Sequence, residues 1–147
     1  MSYTYYLDTS ALVKRYVTEP GSDLVDRVFR DAYRGAATVA LSHWNLAEAA
    51  VVFDRYGRRL GLDARAVLRS MLRELRTLAR LQGARVIGVT PPLLRASINI
   101  VMRSHVYVAD ALQVASARGV SADEFLTGDR ALAEVASREG LKVTYVG

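Results

Sequence analysis

The chain has no cysteine, which excludes a disulfide framework, a thiolate zinc site and a cysteine nucleophile. Proline and glycine are sparse, three and ten in 147 residues, and 51% of the chain is hydrophobic, so neither a linker nor a disordered chain fits. Long apolar runs are missing too. The longest uncharged stretch, residues 35–47, falls short of the roughly 20 residues of a membrane helix. Residues 1–10 lack a basic leader region and already carry Asp8, so they do not read as a signal peptide. These absences predict a soluble, cytoplasmic protein with no membrane partner, and the length suits a single domain over 1–147.

Lysine is nearly absent as well: two residues against 18 arginines, within a net charge of +5. Arginine's planar fork suits phosphate, so a polyanionic partner fits; a codon bias toward arginine on an ordinary surface fits equally. Nine of the 18 lie between Arg55 and Arg85. On a helical pattern over 63–81, Arg65, Arg69, Arg73, Arg76 and Arg80 fall within an arc of about 80°. Leu68, Met71, Leu72, Leu75, Leu78 and Ala79 fill the adjoining arc. This stripe reads as a track for RNA phosphates, as the solvated face of an amphipathic helix, or as a docking face for an acidic partner segment.

Two periods alternate along the chain. β-rich runs at 3–7, 38–41, 85–89, 124–127 and 142–146 are separated by helical patterns at 10–16, 22–33, 43–56, 63–81, 92–102, 109–117 and 130–138. Ser42 is placed as an N-cap, Thr90 before Pro91 as a cap with proline in the first turn, and Gly119 and Gly140 as left-handed C-terminal residues. The alternation predicts an α/β fold, a parallel sheet covered on both faces. In such sheets ligands gather beyond the carboxyl ends of the strands.

The chemistry lies in acids that occur without company. Asp8 is the only charged residue from 1 to 13, Glu48 the only one from 36 to 53, and Asp110 the only one from 104 to 117. Asp129 follows the run 124–127 through one glycine. Asp8 and Asp129 fall at strand carboxyl ends, while Glu48 and Asp110 sit in helical patterns able to border the same end. An unpaired buried carboxylate costs several kcal/mol. Two of them about 5 Å apart repel by roughly 3 kcal/mol at an effective dielectric near 20. None of the first three has a cation within four residues. A divalent cation with hard oxygen preference, Mg²⁺ or Mn²⁺, would offset that cost and activate a water. Asp8, Asp110 and Asp129 also read as helix caps, whereas Glu48, in mid-helix among Trp44, Val51 and Val52, has no capping job. Ser10 is the hydroxyl best placed to support the acids.

The run Tyr6-Leu7-Asp8-Thr9-Ser10-Ala11-Leu12-Val13-Lys14-Arg15-Tyr16, continued by Glu19-Pro20-Gly21-Ser22, resembles the start of a PIN domain. The likeness continues through the Glu48 helix opened by Ser42, then Val108-Ala109-Asp110-Ala111-Leu112-Gln113, and ends at Phe125-Leu126-Thr127-Gly128-Asp129-Arg130. It is greatest to the VapC-type toxin ribonucleases of toxin–antitoxin pairs. That resemblance implies a three-layer sandwich around a five-stranded parallel sheet. It implies metal-binding acids at Asp8, Glu48, Asp110 and Asp129, one or two Mg²⁺ or Mn²⁺ ions, and hydrolysis of RNA phosphodiester bonds. It further implies a cognate antitoxin and a homodimer. Asp129 matches the most variable of the four motifs. Lys14 and Arg15, close behind Asp8, are expected near the substrate, and His43 and His105 are given no role. Two other readings compete: a non-catalytic nucleic-acid-binding module working through its arginines, and a metal-dependent phosphatase with Asp8 as nucleophile. The second is disfavoured by Ser10, where such an enzyme needs a second Asp.

Overall fold

A computed structural model describes residues 3–147. Residues 1 and 2, which the expectations for 1–10 and for a 1–147 domain include, lie outside the described residues. The chain runs β1 (Tyr3–Leu7), α1 (Thr9–Leu12), a 3₁₀ turn (Val13–Arg15), α2 (Ser22–Tyr33), β2 (Ala37–Ser42), α3 (His43–Leu60), α4 (Ala64–Arg80) and β3 (Ala84–Ile87). It continues through α5 (Pro91–Ser104), α6 (Val108–Gly119), β4 (Glu124–Thr127), α7 (Arg130–Arg138) and β5 (Val143–Tyr145). The strands form one parallel sheet in the order β3-β2-β1-β4-β5. This is the predicted α/β fold with its five-stranded parallel sheet.

Successive strand residues point to opposite faces, and the core divides accordingly. Leu7, Val39, Leu41 and Leu126 pack with Ala11, Phe29, Phe53, Met71 and Leu78 from α1 to α4. Their neighbours Tyr6, Ala40 and Phe125 pack on the other face with Ile100, Val114 and Leu132 from α5 to α7. Both faces are covered, which is why Tyr6-Leu7, Val39-Ala40-Leu41 and Phe125-Leu126 are apolar at consecutive positions rather than in alternation. From the central β1 the order steps outward through β2 and β3 on one side and through β4 and β5 on the other. That reversal leaves a crevice beyond the carboxyl end of β1.

Boundaries follow local chemistry with a few differences. Ser42 and Thr90 cap α3 and α5, and Gly140 is left-handed at φ 92°. The first helix tightens into a 3₁₀ turn at Val13, and α3 runs past Tyr56 to a left-handed cap at Gly61. Gly119 is a helical residue, and Ser121 takes the positive φ instead. A side chain at Gly119 would press on Leu93 at 3.3 Å, so the glycine serves the close approach of α5 to α6. Among the described residues, no helix is long and apolar enough to cross a membrane.

Candidate active site

β1 and β4 pair side by side, so the residues that follow them emerge together. Asp8 stands directly after β1, its backbone N–H donating to Leu126 across the pair, and Asp129 stands two residues after β4. Glu48 comes from the second turn of α3 and Asp110 from the first turn of α6. All four, with Thr9, Ser10, Arg55 and Gln113, line one hollow of about 340 Å³.

Asp8 is 4% exposed and surrounded by donors. It accepts from the Ala11 N–H at 2.9 Å, from the Ser10 hydroxyl at 2.7 and 2.9 Å, and from the Thr127 hydroxyl at 2.6 Å. The Gly128 N–H donates to Ser10 Oγ at 2.7 Å, and the Asp129 N–H to Thr127 Oγ1 at 3.0 Å, so each hydroxyl is itself oriented. Burial nonetheless pushes the Asp8 carboxyl up to about 6, with the neighbouring charge of Asp129 adding to it. Asp110 is pushed up by burial and then by the charges of Asp129 and Glu48. Glu48 is held by the Thr9 hydroxyl at 2.7 Å. Among the described residues no cation pairs with any of the four.

Capping accounts for only part of this. Asp8 caps α1 and Asp129 caps α7, the latter accepting from the Leu132 N–H at 3.1 Å. Asp110 is not a cap, since Tyr107 holds that position without a side-chain bond, and Glu48 lies within α3. Two acids therefore have no local structural task.

The donor set suits a hard divalent cation: carboxylate oxygens, mutually repelling and uncompensated. Among the described residues no three His, Cys, Asp or Glu side chains form a ready-made cage. Mg²⁺ does not need one, because it keeps several waters and is commonly bound through one or two carboxylates.

A buried network beneath the hollow had no counterpart in the sequence reading. Tyr6 donates to Gln113 Oε1 at 2.9 Å. The Asn45 amide donates to that same oxygen at 2.8 Å and to Thr9 Oγ1 at 3.0 Å. Asn45 Oδ1 accepts from the Ser42 N–H at 2.7 Å, closing a capping box. Strand β1, helix α3 and helix α6 are thus tied behind Glu48. The one available signal was Asn45 at the third helical position after Ser42.

Of the two basic residues after Asp8, Arg15 departs from expectation, whereas Lys14 lies beside Ser10 and Gly128. Arg15 is engaged by Glu74 at 2.9 Å and Asp26 at 3.0 Å, and its guanidinium lies over Phe29, so it is spent on packing. Lys14 is buried with Nζ 3.3 Å from Glu19. Its chain passes so close to Gly128 that a side chain there would meet Lys14 Cε at 2.9 Å. His43 is exposed at the start of α3 and His105 ends α5 in a left-handed conformation.

The PIN domain family model matches residues 5–138. No curated protein matches the sequence. Solved structures do resemble the fold. The sarcin-ricin loop cleaving toxin VapC20 of Mycobacterium tuberculosis is 19% identical with a TM-score of 0.63, the match covering 93% of this chain and 95% of that one. FitAcB from Neisseria gonorrhoeae is 20% identical with a TM-score of 0.64, covering 95% of each. VapBC2 from Rickettsia felis, bound to a DNA fragment from their promoter, is 15% identical with a TM-score of 0.65, covering 98% and 99%.

Proposed function

The chain belongs to the PIN domain family, and from that premise we propose that it is a Mg²⁺- or Mn²⁺-dependent endoribonuclease, the toxin of a toxin–antitoxin pair. The observation that carries this reading is the hollow shared by Asp8, Glu48, Asp110 and Asp129, none of which is ion-paired among the described residues. A bound divalent ion would supply a water of lowered pKa to attack the phosphorus and would neutralise charge on the phosphodiester and on the sugar oxygen that leaves. Asp8, Glu48, Asp110 and Asp129 would hold it between them, one or two directly and the others through its waters. Ser10 and Thr127 keep Asp8 oriented, and Thr9 keeps Glu48 oriented, so the protein contributes positioning and fixed electrostatics rather than a nucleophile. The toxin assignment draws on the likeness to VapC20 and VapBC2 and carries with it a cognate antitoxin, a cytoplasmic location, a homodimer and a single domain over the whole chain.

The test is cleavage of labelled structured RNA with Mg²⁺, then with EDTA, then with Asp8→Asn and Glu48→Gln. Chelator-sensitive cutting lost in both variants is expected. Binding without cutting, unchanged by either substitution, would replace the nuclease with a binding module. Phosphate released from small monoesters would replace it with a phosphatase. Growth arrest on expression, relieved by the product of an adjacent small reading frame, tests the toxin assignment.

A further inference from the structure

The hollow does not end at the acids. A second one of about 340 Å³, lined by Glu19, Val52, Arg55, Tyr56, Arg59 and Leu60, shares Val52 and Arg55 with it, so a single groove runs along α3. Glu48, Val52, Arg55 and Arg59 recur at intervals of four, three and four, which keeps them on one helix face. At 1.5 Å per residue, Arg55 lies about 10 Å beyond Glu48 and Arg59 about 6 Å further. Both arginines are exposed, and neither makes an ion pair or hydrogen bond among the described residues; the neighbouring Arg58 is paired with Asp54. Glu19, the groove's own carboxylate, is already occupied by Lys14 and by the Tyr56 hydroxyl. One end of the groove is therefore anionic and the other carries two free guanidiniums beside an aromatic and an aliphatic wall.

Resting on the nuclease reading, we propose that this groove seats single-stranded RNA flanking the scissile bond, with Arg55 and Arg59 on successive phosphates and Val52 and Tyr56 against a base. The stripe Arg65, Arg69, Arg73, Arg76 and Arg80 on α4 lines neither hollow and is left to solvent. Stacking on an aromatic and phosphate contacts to arginine are the general means of holding single strands.

The test uses Asp8→Asn protein, so that nothing is cut, and a fluorescent single-stranded oligonucleotide titrated across a range of salt. Each phosphate contact contributes about 0.7 to the slope of log affinity against log salt. Arg55→Met with Arg59→Met should reduce that slope by about 1.4. Arg69→Met with Arg76→Met should leave it unchanged, and Arg55→Lys with Arg59→Lys should retain most of it. An unchanged slope in the α3 pair, or a loss confined to the α4 pair, overturns the proposal. So does an oligoglutamate peptide whose binding depends on Arg55 and Arg59 when RNA binding does not, since the groove would then belong to an acidic protein segment. Because binding is read without cleavage, failure of the nuclease reading appears separately, as wild-type protein that binds RNA and does not cut it.

Discussion

Two nearly covered carboxylates in this chain behave in opposite ways. Asp8 is 4% exposed and its carboxyl is pushed up to about 6. The side chain of Glu139, also 4% exposed, is held down to about 2, first by its hydrogen bonds from Arg103. Arg103 donates to it at 2.6 and 3.1 Å, Ser104 at 2.9 Å and Arg118 at 3.0 Å. Asp8 is given only neutral donors and a negative neighbour, Asp129. Low exposure therefore does not by itself set the protonation of an acid: Asp8 lies deep among neutral donors, whereas Glu139 is covered near the surface by the arginines that neutralise it. Glu139 is a finished ion cluster that ties the ends of α5 and α6 to the residue after α7. Asp8 is electrostatically incomplete, which is what a cation site requires.

The comparison can be broken most directly by removing each charge. Asp8→Asn should lower RNA cleavage by about 10³-fold or more, because it removes a group that would hold charge in the transition state. Glu139→Gln should leave cleavage within about twofold, the usual outcome for a site remote from the chemistry. Equal losses in the two variants would remove the distinction.

Stability against pH sharpens it. The Asp8 carboxyl titrates higher in the folded state than its ordinary 3.8, so its favourable contribution is complete below that value and is lost as pH rises through about 6. Chemical denaturation of metal-free protein should show roughly 3 kcal/mol of this loss between pH 4 and pH 8, abolished in Asp8→Asn. Glu139 has the reverse sign: its contribution is present above its ordinary 4.5 and fades as pH falls toward about 2. A wild-type stability that climbs steadily from pH 4 to pH 8 would contradict the account of Asp8.

Metal should repair the incomplete site. At pH 7.5, Mg²⁺ at a hundred times its dissociation constant should stabilise the wild type by about 2.7 kcal/mol in thermal denaturation, and Asp8→Asn by far less. The smallest effect is on the finished cluster. Glu139→Gln should cost about 1 kcal/mol at neutral pH, since its arginine partners are partly solvated, and that cost should shrink below pH 3.

Much of the architecture was legible because it is written in local periods. Runs 3–7 and 124–127 coincide with β1 and β4, and 22–33 and 130–138 with α2 and α7. The acids stood out because an uncompensated charge in an apolar neighbourhood is conspicuous along the chain. Apart from Ser10, which the sequence places beside Asp8, the supporting groups were not legible. Thr127 reaches Asp8 across 119 residues, Tyr6 reaches Gln113 across 107 and Thr9 reaches Glu48 across 39; nothing in a turn-forming threonine or a strand tyrosine marks such a partner. Arg15 misled for the same reason: its captor, Glu74, lies 59 residues away.

Sequence by itself determined the alternation of strand and helix, the apolar character of both sheet faces, the isolation of three acids and the strand-end position of the fourth, since each depends on residues within a few positions of one another. Only the tertiary structure decided that those acids share one hollow, that Arg15 is consumed and that Arg55 and Arg59 remain free beside it. Whether a charge is neutralised depends on groups brought near it by folding, and Coulomb energy follows distance in space, not separation along the chain.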